Sequence, residues 1–267
     1  MSFPNMTSLA PEAIYKEYAA ANRPARIGTL GIDEYGSLYR VCKLGGNLVA
    51  GVGCVSVVEY PVANANVIAD NYDGDMATVD IYGDTAAIGD LVIRTDDASA
   101  STRVVNFYEG GSATFYGGAV AQRQQRRIVS STVGDGTSIY ITLDAPITVA
   151  ITDGAIDMMP SQYSNCVSPA QETSAYESFV AYPRIASGTS GYYFWGLTRG
   201  PLMGHYRATW PGAVASDRDV YFGPDGEIDS TTNLQYAIET YAPQRAGYTI
   251  MCNTAGYGCV YFMLQLE

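Results

Sequence analysis

From residue 27 onward the chain reads as one short strand after another, cut apart by turns that have a backbone reason to be turns. Thr78-Val79-Asp80-Ile81-Tyr82, Asp90-Leu91-Val92-Ile93-Arg94 and Ser138-Ile139-Tyr140-Ile141-Thr142-Leu143 alternate apolar and polar residues. Half-buried strands do this because successive side chains point to opposite faces. Asp73-Gly74, Tyr82-Gly83-Asp84, Glu109-Gly110-Gly111, Gly134-Asp135-Gly136 and Pro224-Asp225-Gly226 supply the breaks, since glycine, aspartate and proline each favour a turn conformation. Tyr192-Tyr193-Phe194-Trp195, Val220-Tyr221-Phe222, Gly247-Tyr248-Thr249-Ile250-Met251 and Val260-Tyr261-Phe262-Met263-Leu264-Gln265-Leu266 continue the habit to the end. Strands roughly a dozen residues apart, with no long helical period between them, predict an all-β fold, an antiparallel β-sandwich or barrel.

Only Pro11–Asn22 reads as helix. Pro11 suits a first helical position, Ile14 and Tyr18 share a face at i,i+4, and Asn22 followed by Pro24 gives a stop. Three turns are marginal alone in water, so the segment needs a surface, either the body of this protein or another chain. The segment is expected to form a short N-terminal helical arm, residues 1–26, with Ile14, Tyr15 and Tyr18 as its candidate partner-binding residues. Deleting residues 1–25 is expected to leave a folded body. Beyond the arm, a composition shift at 153–162 divides the chain into two β lobes, 27–155 and 156–267, or marks a long crossing within one continuous β domain.

The charge balance is 15 basic against 27 acidic residues, net −12, and only Lys16 and Lys43 are lysines. Nucleic-acid affinity rests on Lys and Arg displacing counterions, so no DNA or RNA partner is expected. The basic run Gln122–Arg127 reads as a solvated face or a local ion-pair set. Five cysteines, Cys42, Cys54, Cys166, Cys252 and Cys259, are odd in number and lack C-x-x-C spacing. They read as buried thiols of a protein made in a reducing cytoplasm. Met1-Ser2-Phe3-Pro4-Asn5-Met6 has neither a basic nor an apolar signal region, and no run approaches the roughly 18 apolar residues of a span, so no membrane association is expected. Twenty-two tyrosines suit either sheet packing or interfaces, where they offer stiff amphipathic area.

Recognisable chemistry is sparse. His205 is the one histidine, and Gly188-Thr189-Ser190-Gly191 is one residue short of a nucleophile elbow. Gly51-Val52-Gly53-Cys54-Val55-Ser56 fails as a dinucleotide fingerprint at its third glycine and reads as a strand with close backbone packing. Asp70-Asn71-Tyr72-Asp73-Gly74-Asp75 lacks the alternation of a helix-flanked calcium loop and reads as a turn, with an irregular calcium site on a β loop as the alternative. No catalytic residue, metal ligand or cofactor is assigned, and an enzyme is not expected. Tyr193 and Trp195 fall on one face of an aromatic strand and Tyr192 and Phe194 on the other. Burial on both faces makes Tyr193 and Trp195 core residues; a sugar- or partner-stacking platform is the alternative.

Residues 28–51 read as a hairpin with glycine-set turns and aromatic and β-branched strands. They resemble the start of the small β-rich virion proteins that environmental tailed bacteriophages encode near their major capsid protein, a group that includes capsid decoration, or cement, proteins. The aromatic stretch 192–200, a strand ending in Trp195 and then Gly196, resembles the C-terminal part of the same family. The resemblance implies a virion structural protein, made in the host bacterial cytoplasm, that binds the major capsid protein on the capsid exterior as a homo-oligomer and stabilises the assembled head. A tail or fibre module that binds host-surface glycans is the alternative.

Overall fold

The computed structural model describes residues 6–50, 53–56, 77–81, 85–96, 104–117, 119–134, 138–152, 154–169, 178–206, 218–223, 226–230, 244–251 and 260–267. The chain forms two compact units, Met1–Val57 with Tyr163–Glu267, and Val58–Gln162. The first unit begins with β1 (Thr7–Ser8), β2 (Leu30–Ile32), β3 (Leu38–Lys43) and β4 (Cys54–Ser56). The second holds β5 (Ala77–Asp80), β6 (Thr85–Ala86), β7 (Val92–Asp96), β8 (Ser112–Tyr116), β9 (Gln124–Ser131), β10 (Ser138–Leu143), β11 (Ile151–Thr152) and β12 (Ala155–Met159). The chain then returns to the first unit with β13 (Cys166–Val167), β14 (Ser178–Pro183), β15 (Tyr193–Gly204), β16 (Asp219–Phe222), β17 (Ile228–Asp229), β18 (Arg245–Met251) and β19 (Val260–Gln265). The fold is all-β, as the alternation predicts. The division differs from the consecutive lobes 27–155 and 156–267: β3 pairs with β15, and β4 with β13 and β14, so both ends of the chain complete one sheet system and the middle is inserted.

In the first unit the strands run β1-β2-β3-β15-β19-β18-β16-β17, and β14 joins β15 to β4. The expected hairpin of 28–51 is present as β2 and β3, paired Leu30–Arg40 through Ile32–Leu38. Its turn is built by Asp33, whose Oδ1 accepts from the backbone N–H of Tyr35 and of Ser37 at 2.9 Å each, and by Gly36 at φ 82°, a conformation side chains disfavour. Gly53 also has a packing reason: a Cβ there would lie 2.5 Å from the Phe222 ring and 2.9 Å from that of Phe179, and those two rings stack at 4.2 Å.

The N-terminal arm is not the expected helix. Pro11–Tyr15 and Ala20–Asn22 are separate 3-10 turns, and Lys16 between them is extended at φ −129°, ψ 142°. The backbone N–H groups of Tyr18 and Tyr193 each donate to the other's carbonyl at 2.8 Å. A three-turn helix holds little stability of its own, so two backbone bonds to β15 and the burial of Ile14 outweigh it. Leu9 enters the same core, and its side chain and that of Trp195 converge over Gly31.

The second unit is a barrel. Its six-stranded sheet runs β5-β12-β8-β9-β10-β7, with every pairing antiparallel, and an antiparallel bridge from Ile81 to Thr95 joins its two ends. Consecutive β8, β9 and β10 with β12 returning beside β8 make a Greek key. Ala113, Phe115, Ile128, Ile139, Ile141, Ile156 and Met158 fill the interior. The basic run proves local in use: Arg126 donates to the carbonyls of Pro146 and Gln125, to Gln124 Oε1 and to Thr148 Oγ1, tying β9 to the 146–149 loop. The turns at 73–74, 82–84 and 135–136, and the acidic turn 70–75, lie outside the described residues.

Cys42, Cys54 and Cys166 are fully buried free thiols in the core of the first unit, and Cys252 and Cys259 lie outside the described residues. Burial pushes the Cys42 thiol up, and hydrogen bonding with Cys42 and Cys54, with burial, pushes Cys166 well up. The thiolate is the reactive form. In a Cys252→Ser/Cys259→Ser variant, none of the three remaining thiols is expected to react with a disulfide reagent at pH 8 until denaturant unfolds the chain. Rapid titration of one or more thiols under native conditions would contradict this burial.

Candidate interaction face

β15 changes surroundings along its length. Through Leu197 it is buried on both faces, with Tyr193, Phe194, Trp195 and Leu197 all in the core, as expected of Tyr193 and Trp195. Trp195 is 1% exposed and in register with Val41, so it offers no ring to a sugar. From Arg199 to Gly204 the strand pairs with β19, and there one face opens: Leu202 is buried and Met203 is 62% exposed. β19 repeats the pattern, with Val260, Phe262 and Leu264 inside and Tyr261 and Met263 half-buried outside. On β18, Ala246 and Thr249 face inward while Tyr248 and Met251, 65% exposed in the latter case, face out.

Directly opposed residues of antiparallel strands share a face. The pairs Met203–Tyr261, Pro201–Met263, Tyr248–Met263 and Met251–Tyr261 therefore gather six side chains on one side of the sheet. A register shift between Thr249 and Met251 leaves Ile250, also exposed, at the same end. Strand spacing of about 4.8 Å makes this apolar centre on the order of 10 Å across in each direction. Its backing is rigid, because Leu202, Phe262, Leu264, Ala246 and Val220 are nearly or fully buried behind it. Tyr182 also stands edge-on to Phe262, with ring centroids 6.2 Å apart. Single exposed apolar residues need no explanation, whereas a contiguous group of methionine and tyrosine side chains on one sheet face makes this face the candidate interaction surface among the described residues.

A polar border adjoins the patch. Arg245 lies 2.9 Å from Asp219 and donates to Gln265 Oε1 at 3.2 Å. Arg199, exposed and opposite Gln265 in register, has no ion pair among the described residues. An apolar centre with an arginine-bearing rim is the usual anatomy of a protein interface.

The arm residues land elsewhere. Ile14 is 7% exposed and packs in the core, Tyr18 is half-buried with its hydroxyl donating to Ala13 O at 3.2 Å, and Tyr15 alone is open, at 61%. The structure thus spends Ile14 and Tyr18 on the protein's own core and brings together instead Met203, Tyr248, Met251, Tyr261 and Met263. The available signal was in Val260–Leu266, which is apolar on both faces of a strand whose partner Met203 continues the outer row. Among the described residues no group of three or more His, Cys, Asp or Glu side chains is placed to hold a metal ion, and no helix is long and apolar enough to cross a membrane.

These features define the class as an all-β protein with an inserted barrel and an exposed methionine and tyrosine sheet face. No family model, curated protein or solved structure matches the chain.

Proposed function

We propose that this chain is a virion structural protein, a capsid decoration or cement protein that binds the exterior of an assembled phage head. The observation that carries the reading is the exposed Met203–Tyr261–Met251 face on a rigid core, taken with the resemblance of residues 28–51 and 192–200 to phage virion proteins. The net charge of −12 suits the outside of the shell, away from packaged DNA. Acting without turnover or cofactor, such a protein binds the assembled lattice of major capsid protein and not its free subunits, and mass action then shifts the shell away from disassembly. The resemblance also implies a homo-oligomer on the capsid surface.

The test is binding to mature shells stripped of decoration. Met203→Asp combined with Met251→Asp is expected to weaken binding about a hundredfold, since charges replace two central contacts worth roughly 1–2 kcal/mol each. Both residues are exposed, so folding and stability should not change. Undiminished binding by the folded double variant removes this face from the account. A second reading, a tail or fibre module for host-surface glycans, draws on the outward rings of Tyr248 and Tyr261. Binding to a glycan array, with none to shells, selects it.

A further inference from the structure

Of the whole chain's charge, the part at the border of the sheet face has the opposite sign. The protein is net −12, yet among the described residues the border holds Arg199, Arg245 and Arg40 against the carboxylates of Asp219 and Glu267, with Glu267 paired to Arg40 at 2.7 Å and Asp219 to Arg245 at 2.9 Å. Guanidinium groups suit carboxylates because their planar N–H forks match two oxygens at once. Arg245 is held in place by Asp219 and Gln265, and Arg199 stands opposite Gln265 on the neighbouring strand. The two cations therefore flank Gln265, about 10 Å apart across three strands.

We infer that the occupant of this face is a protein surface with an apolar centre and a border rich in aspartate and glutamate. The inference rests on the reading of the face as a docking surface and adds the chemistry of its partner. A second copy docked face to face is disfavoured: a two-fold contact sets a second Arg199, which has no ion pair among the described residues, at the same border, and like charges there cost affinity and slow association. A phosphate backbone is disfavoured too, because three arginines beside two carboxylates on an acidic protein release few counterions.

Two probes test it: mature shells stripped of decoration and, independently of any phage, an immobilised peptide of alternating leucine and glutamate. Arg199→Glu is expected to weaken binding to both about tenfold, chiefly through slower association, because border charges act on encounter. Raising salt from about 50 to about 500 mM should weaken the wild type more than Arg199→Glu. Asp219→Asn, which removes a competing carboxylate, should strengthen binding. Equal binding by wild type and Arg199→Glu on both probes, at both salts, overturns the acidic partner while leaving the face intact. Loss of peptide binding in Met203→Asp/Met251→Asp supports the apolar centre of the same site, and its retention overturns it. A wild type that binds the peptide but no shell keeps this inference and ends the decoration reading. A dimer in sedimentation that dissociates in Met203→Asp/Met251→Asp assigns the face to a second copy and overturns the proposal.

Discussion

Trp195→Ala is expected to lose about 3–5 kcal/mol, the cost of removing a large aromatic from a core that cannot collapse onto the space. The indole is 1% exposed, on the strand that pairs with β3 on one side and meets the Leu9 side chain over Gly31. Domains of this size keep only about 5–15 kcal/mol in total, so the variant sits near or past its unfolding threshold at 37 °C. Its urea midpoint, followed by far-ultraviolet circular dichroism, checks this. A variant with wild-type midpoint that has lost only ligand binding would place Trp195 at a binding surface, against its burial.

Deleting residues 1–25 is expected to be at least as damaging, in the opposite sense to what the strand pattern alone suggests. The deletion removes Leu9 and Ile14 from the core, at roughly 1.5–3 kcal/mol each. It also removes the reciprocal Tyr18–Tyr193 backbone bonds and the parallel pairing of β1 with β2. With Leu9 gone, Trp195 is opened to water as well, so about 5 kcal/mol or more is lost altogether. The point version is Ile14→Asp, with Tyr15→Asp as its control: the first side chain is buried and the second is 61% exposed. Matched stabilities for these two variants, or a truncated protein that unfolds like the full chain, would contradict the arm's place in the core.

The contrast between the two residues shows what was legible before the fold. Turns announce themselves locally: Asp33 and Gly36 carry their own reasons, so the β2–β3 hairpin could be read directly. The alternation of Ser138–Leu143 likewise needs only neighbours in sequence. The N-terminal segment misleads because a local preference for helix, worth tenths of a kcal/mol per residue, yields to long-range bonds with β15 that leave no trace in residues 11–22. The inserted second unit escapes for the same reason: pairing of β3 with β15 across the whole insertion has no local signature. In Val260–Leu266 both faces of the strand are apolar, so its pattern identified a strand but not the side left open by the fold.

The central claim, that the chain works by holding an assembled shell together, has one direct measurement. Shells with and without the protein, at full occupancy, are heated while DNA release is followed. Decorated shells are expected to release DNA at a clearly higher temperature, because a ligand that binds the assembled lattice alone stabilises it by mass action. The Met203→Asp/Met251→Asp variant should give no protection at the same concentration. Identical release temperatures for decorated and bare shells would contradict the stabilising role.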